Sequence, residues 1–157
     1  MSDESAADVT LAILRSLERR NDPFDSKARK RSMSETTRKT VYYDGACPLC
    51  TIEIDHYRRQ SGAENLCFID VSRNESTPGD GLTRDAALAR LHVRAPDGSL
   101  SSGAAAFVSI WQDLPKWRWA ARLARLPGML TALEFGYRAF LPLRPKLAAL
   151  VRRTRAK

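Results

Sequence analysis

Cys47 and Cys50 stand three apart in V-Y-Y-D-G-A-C-P-L-C-T-I-E-I, residues 41–54. Two thiols at this spacing can close a disulfide or supply half of a metal site. If Pro48 opens a helix, Cys47 is its N-cap and Cys50 lies one turn inside, so both sulfurs fall on one helix face. Unpaired backbone N–H groups and the positive helix end then favour a Cys47 thiolate, the reactive form in disulfide exchange. In that arrangement Cys50 is deeper and less exposed, the partner that closes the disulfide. Asp44 has two readings. Its carboxylate can accept from the N–H of Ala46 or Cys47 as an Asx turn that shapes the loop, or it can relay a proton to or from Cys50.

A metal site would have to draw on Cys47, Cys50, Cys67, His56 and His92. A structural zinc site wants two close ligand pairs, and the second pair is missing, so redox chemistry ranks first and neither metal nor cofactor is expected. Cys67 falls mid-strand between Leu66 and Phe68 and reads as a small buried hydrophobe. His56 and His92 read as surface or packing residues. No phosphate-binding glycine loop, paired-carboxylate motif or Ser/His/Asp arrangement stands out.

Those residues need elements to hold them. Thr40–Tyr43 is β-branched and aromatic, hence a strand that ends at Asp44-Gly45. Pro48 to Arg59 follows as a helix. Leu49 and Ile52 mark one stripe on it, and Cys50, Ile54 and Tyr57 mark another. Leu66–Val71 is a nearly continuous apolar run, the pattern of a buried central strand. After a Pro/Gly/Asn loop over 72–81, Thr83 caps a short helix through Arg90. Leu91–Ala95 alternates as a strand, Pro96-Asp97-Gly98 turns, and Ser99–Ser102 returns. Gly103 opens an Ala-rich helix that runs to Pro115. The order β-α-β-α-β-β-α predicts an α/β domain over 40–115, one αβ layer over a small mixed sheet. Before it, residues 1–39 read as an arm: a short helix capped by Asp8, then a polar, disordered linker.

Charge is unevenly spread. The chain of 157 residues carries a net +8; residues 116–157 hold eleven Lys/Arg against one acid, Glu134, leaving −2 for the rest. This basic extension is helical in pattern, broken at Pro127-Gly128, Pro142 and Pro145, and its arginines interleave with Trp117, Trp119, Leu123, Leu126, Leu130 and other apolar residues. It can pack on the body, lie on an anionic membrane surface, or do both along different sides. Nucleic acid ranks below these, because no base-reading motif accompanies the charge. The acidic N-terminus M-S-D-E-S-A-A-D does not have the form of a secretory or transit sequence, and no apolar run is long enough to span a bilayer, so a cytoplasmic protein is expected, or one peripheral to the inner face of the membrane.

The D-G-A-C-P-L-C run behind a hydrophobic strand resembles the DCC family of thioredoxin-like proteins, named for its Asp, Cys, Cys pattern; Asp44, Cys47 and Cys50 match it. L-H-V-R-A-P-D-G-S-L-S-S-G-A-A-A-F, residues 91–107, looks like the family's second block, and Leu126-Pro127-Gly128, Tyr137-Arg138 and Arg144-Pro145 also resemble it. The resemblance covers about residues 40–146. It implies a thioredoxin-like fold and a thiol-disulfide oxidoreductase whose partners are protein or small-molecule thiols and disulfides. The chain departs from thioredoxin-like enzymes in two places. Ala87-Leu88-Ala89-Arg90 before the third strand offers no cis-proline, and Ala46 stands where a tryptophan commonly precedes the first cysteine. The alternative from another class is a non-catalytic thioredoxin-like adaptor that docks through the basic extension.

Overall fold

The computed structural model describes residues 37–73 and 78–155; the arm read over residues 1–39, apart from 37–39, and the tip of the 72–81 loop lie outside the described residues. Strand β1, Lys39–Tyr43, is the hub. Its side chains alternate, so Val41 and Tyr43 enter one core and Tyr42 enters another on the opposite face. Strand β2, Leu66–Asp70, runs parallel to β1 with Phe68 opposite Val41. Strands β3, His92–Arg94, and β4, Leu100–Ser102, continue antiparallel on the other side. The sheet order is β2-β1-β3-β4.

Helices cover both faces. Helix α1, Pro48–Arg58, and helix α3, Ala104–Asp113, bury Ile54, Tyr57 and Ile110 with Val41 and Val93. Each such burial stabilises by about 1.5–3 kcal/mol. Helix α2, Arg84–Ala89, covers the opposite face with Ala87 against Tyr42, Val71 and Leu82. Its predicted cap is present: Thr83 Oγ1 accepts from the Ala86 N–H at 3.2 Å. This arrangement on a mixed four-stranded sheet is a thioredoxin-like fold, as the family resemblance implies; helices cover both faces of the sheet, where the element order alone predicts one layer.

Three details differ from the sequence reading. First, β2 is an edge strand rather than a central one, and only Leu66 in it is fully buried. Its apolar run is covered from the side: the Arg58 guanidinium lies 5.3 Å from the Phe68 ring centre and 5.6 Å from that of Tyr43. Second, only one of the two stripes on α1 is deeply buried, because Ile52 is exposed while Ile54 and Tyr57 are enclosed. Third, Pro145 does not break a helix. It sits second in a C-terminal helix, where its missing N–H costs no hydrogen bond.

The basic extension consists of α4, Arg118–Leu123, α5, Met129–Phe140, and α6, Arg144–Arg155. Gly128, at φ 77°, begins α5. Trp117 stacks on Trp111 at 5.7 Å between ring centres, and Trp111 donates to the Tyr57 hydroxyl at 3.0 Å. Ala121 and Ala124 pack on Val108, and Leu133 joins them. The carboxylate of Glu134 then pins α5. It accepts the N–H of Ala104 at the start of α3 and pairs with Arg90 and Arg138. Gly103 adopts φ 61° where this carboxylate and Arg90 crowd it; a Cβ there would lie 2.2 Å from the Arg90 guanidinium. No helix among the described residues is long and apolar enough to cross a membrane.

Candidate functional site

The turn between β1 and α1 is fixed from three directions. Asp44 Oδ1 accepts from the Ala46 N–H at 3.0 Å, so the Asx turn is present. Asp70, at the end of β2, accepts from the Gly45 N–H at 2.9 Å and also holds Ser72. Glycine is needed at 45 because a Cβ there would fall 2.1 Å from the Asp70 carboxylate. Thr51 closes the first turn of α1 through its N–H and hydroxyl, both onto the Cys47 carbonyl.

This places Cys47 at the N-cap of α1, as the spacing predicts, with Pro48 first in the helix. Its sulfur faces the N–H of Cys50 without closing a capping hydrogen bond of normal geometry. The two thiols lie close enough to influence each other's ionisation, so the side chains converge rather than point apart.

The exposure of the pair is reversed from the expectation. Cys47 is 6% exposed and Cys50 only half-buried. The reason is Arg144 at the start of α6. Its Nε donates to Cys47 Sγ at 3.3 Å, one terminal nitrogen donates to Asp44 Oδ2 at 2.7 Å, and the other donates to the carbonyls of Leu88 and Ala89 at 3.1 and 3.3 Å. The guanidinium is a thin cover over the sulfur. Cys50 is set deeper among protein atoms, yet one side of it borders an open cleft.

The electrostatics separate the two thiols. Burial works against ionisation of Cys47, but the Cys50 N–H, the Arg144 guanidinium and the Cys50 thiol outweigh it and hold Cys47 below the ordinary thiol range. Burial pushes Cys50 up to about 12; Arg144 opposes this, and the neighbouring Cys47 and Asp44 charges add to it. One sulfur is ready to ionise and the other keeps its proton. That is the division of labour a nucleophile and a resolving thiol require. The helix end alone was expected to supply this; Arg144 contributes a full charge to it.

Two cavities flank the Asp44–Arg144 pair. One, an apolar cleft of about 300 Å³, is bordered by Cys50, Ile52, Leu88, Phe107, Tyr137 and Phe140. The other, about 310 Å³, is bordered by Cys47, Leu141, Arg144, Ala148 and Arg152. Helix α6 supplies part of both walls and α5 part of the first, so the extension is a component of the site. Tyr137 also takes the Leu91 N–H at 3.1 Å, beside the segment where thioredoxin-like enzymes carry their proline. Every peptide bond among the described residues is trans.

The remaining candidates lie apart. Strand alternation puts Cys67 on the opposite face from Leu66 and Phe68, which pack in the core that Cys50 adjoins. His92 is buried, its Nδ1 2.9 Å from the Arg90 carbonyl, and burial lowers its pKa. His56 is exposed against Trp117. Among the described residues no cluster of three or more His, Cys, Asp or Glu is placed to hold a metal ion. Residue-by-residue reading of the sequence did not find Arg144, Asp70, Tyr137 or Glu134. The family resemblance marked the Tyr137-Arg138 and Arg144-Pro145 pairs, without a role for either.

A family model described as DCC1-like thiol-disulfide oxidoreductase matches residues 41–150. An uncharacterized chloroplastic protein of Arabidopsis thaliana is 28% identical over 91 residues, which cover 56% of this chain and 42% of that protein. The chain thus spans less than half the length of this curated relative. No solved structure matches.

Proposed function

From the premise that this chain belongs to the DCC1-like thiol-disulfide oxidoreductase family, we propose that it exchanges thiols and disulfides through Cys47 and Cys50. The observation that carries the reading is the guanidinium of Arg144 on Cys47 Sγ, beside a Cys50 that stays protonated. The Cys47 thiolate attacks one sulfur of a substrate disulfide. A Cys47–substrate bond forms, the substrate S–S bond breaks, and the leaving thiolate takes a proton. Cys50 then gives up its proton and attacks Cys47 Sγ; the Cys47–Cys50 disulfide forms and the second substrate thiol departs. Two electrons pass from protein to substrate, and the reverse sequence oxidises a substrate dithiol. Arg144 stabilises the thiolate and must slide off the sulfur for the substrate to approach in line. Asp44 orients that guanidinium and shapes the turn, and its charge helps keep the proton on Cys50.

Insulin reduction with a thiol donor, together with a glutathione titration of the dithiol, tests this. Cys47→Ser is expected to remove the activity. A Cys47→Ser protein as active as the unmodified chain would falsify the catalytic role.

A second reading rests on a different observation. Ten large apolar side chains between Trp119 and Leu150 are exposed, among them Trp119 at 61% and Phe135 at 76%. Arg118, Arg122 and Arg125 lie among them. Scattered apolar side chains need no account, but a concentration interleaved with arginines suits an anionic membrane surface. On this reading the full chain floats with anionic liposomes, less so at high salt, and Phe135→Ser with Trp119→Ser reduces it. Flotation equal on neutral and anionic vesicles would count against it. Docking and exchange are compatible, since different faces of the extension serve them.

A further inference from the structure

The two cavities beside the dithiol differ in what they can select. Cys47, the proposed nucleophile, borders the second of them, so an incoming disulfide reaches the reactive sulfur from that side. One wall of this cavity is a stripe of α6 at four-residue spacing: Arg144, Ala148 and Arg152. Ala148 is 4% exposed, and its small side chain lets α6 approach the turn that carries Cys47. Arg144 is engaged by Asp44 and by two carbonyls. Arg152 is exposed and has no hydrogen bond or ion pair among the described residues. Asp44 is the acid that borders the cavity, and it already faces Arg144. With Cys47 ionised the lining carries two cations and two anions; Arg144 faces both anions, and Arg152 is the cation left unpaired among the described residues.

We propose that Arg152 and this cavity make a carboxylate-binding subsite, and that the chain's substrates are low-molecular-weight disulfides whose arms carry a carboxylate. The inference rests on the thiol-disulfide reading above and adds the substrate class to it. About 310 Å³ has room for one arm of a small disulfide and not for a folded domain. The arm's sulfur is presented to Cys47 while its carboxylate faces Arg152, two turns along α6 from Arg144. In the first half-reaction Cys47 bonds to that sulfur and the other arm leaves as a thiol. In the second, Cys50 displaces the bound arm. The dithiol loses two electrons, the disulfide gains them, and two carboxylate-bearing thiols are released.

The test uses the reduced 157-residue chain in single turnover, which needs no further reductant, with three disulfides of one scaffold. Dithiodipropionate carries two carboxylates, bis(hydroxyethyl) disulfide is neutral, and cystamine carries two ammonium groups. Rates are followed by mass spectrometry of the Cys47–Cys50 disulfide. The expected order is dithiodipropionate, then the neutral compound, then cystamine. Arg152→Ala should lower the ratio of the first rate to the second by roughly fivefold. Arg152→Glu should lower it further and favour cystamine, and Arg152→Lys should restore most of the preference. A ratio indifferent to all three substitutions overturns the subsite while leaving the exchange reaction standing. Arg152 is at the surface, so these variants are expected to fold, and circular dichroism verifies it. If none of the three disulfides oxidises the Cys47–Cys50 pair, the underlying reading fails, and the subsite with it.

Discussion

The sheet with its three helices and the C-terminal extension are held by different forces. In the body, Val41, Ile54, Tyr57, Val93, Ile110 and Leu114 are at most 1% exposed and pack around one another. In the extension, α5 turns only Leu133, Glu134 and Tyr137 substantially inward, while Met129, Leu130 and Phe135 face out. What fastens α5 and α6 is directional and polar: Glu134 on the Ala104 N–H, Tyr137 on the Leu91 N–H, and Arg144 on Asp44, Cys47 and two carbonyls. A core of apolar contacts is insensitive to pH and salt. A set of charged hydrogen bonds is sensitive to both. The difference teaches that the reactive turn belongs to the stable part of the molecule and its cover to the adjustable part.

The largest effect should come from the body. Ile110→Ala leaves a cavity in the main core and is expected to cost about 2–5 kcal/mol, measured by urea unfolding. A loss near zero would mean that the body does not carry the stability.

Next is Arg144→Gln, which removes the cover and the charge together. The pH midpoint for iodoacetamide labelling of Cys47 should rise, because the guanidinium no longer favours the thiolate. At neutral pH the fraction ionised falls, by roughly tenfold for the loss of a charged hydrogen bond. The rate at saturating pH should increase, since the sulfur is uncovered. A midpoint that stays put would show that the helix end, not Arg144, sets the thiol.

A smaller effect separates the regions by acid. Ala104, together with Arg90 and Arg138, holds Glu134 down to about 2, with burial in opposition. A carboxylate with a lowered folded-state pKa contributes stability above its unfolded pKa and loses it as pH falls through the folded value. The docking of α5 should therefore weaken between about pH 4.3 and pH 2. Screening by water limits the contribution to about 1 kcal/mol. Hydrogen exchange at the Ala104 N–H is the readout, and Glu134→Gln should show the weaker protection already at neutral pH. Equal protection in both proteins would place the fastening elsewhere.

The smallest expected effect is Phe135→Ser, which should change unfolding free energy by no more than about 0.5 kcal/mol. A larger loss would mean that the outer face of α5 is packed rather than presented.

The body was legible in the sequence because its signals are local. The β-branched run at Thr40–Tyr43, the Thr83 cap, the Pro96-Asp97-Gly98 turn and the Gly103 helix start each encode their own geometry within a few residues. The cysteine pair was legible for the same reason. Its cover was not. Arg144 is 97 residues from Cys47, and apart from the family resemblance, which marked the Arg144-Pro145 pair without a role, nothing distinguishes it from ten other cations in the extension. Cys47 was expected to be the exposed thiol because a helix N-cap usually faces solvent; α6 lies over this one. Leu66–Asp70 misled for a related reason. A continuous apolar run suggests a strand flanked on both sides, yet β2 is an edge strand covered partly by Arg58, a residue whose sequence neighbours give no hint of that position.

Thiolate absorbance against pH, on a chain with Cys67→Ser so that two thiols remain, tests the central claim most directly. The account predicts one thiol, lost in Cys47→Ser, that ionises below the ordinary cysteine range, and a second that holds its proton to about pH 12. Two thiols that ionise together in the ordinary range, or a first ionisation that survives Cys47→Ser, would contradict it.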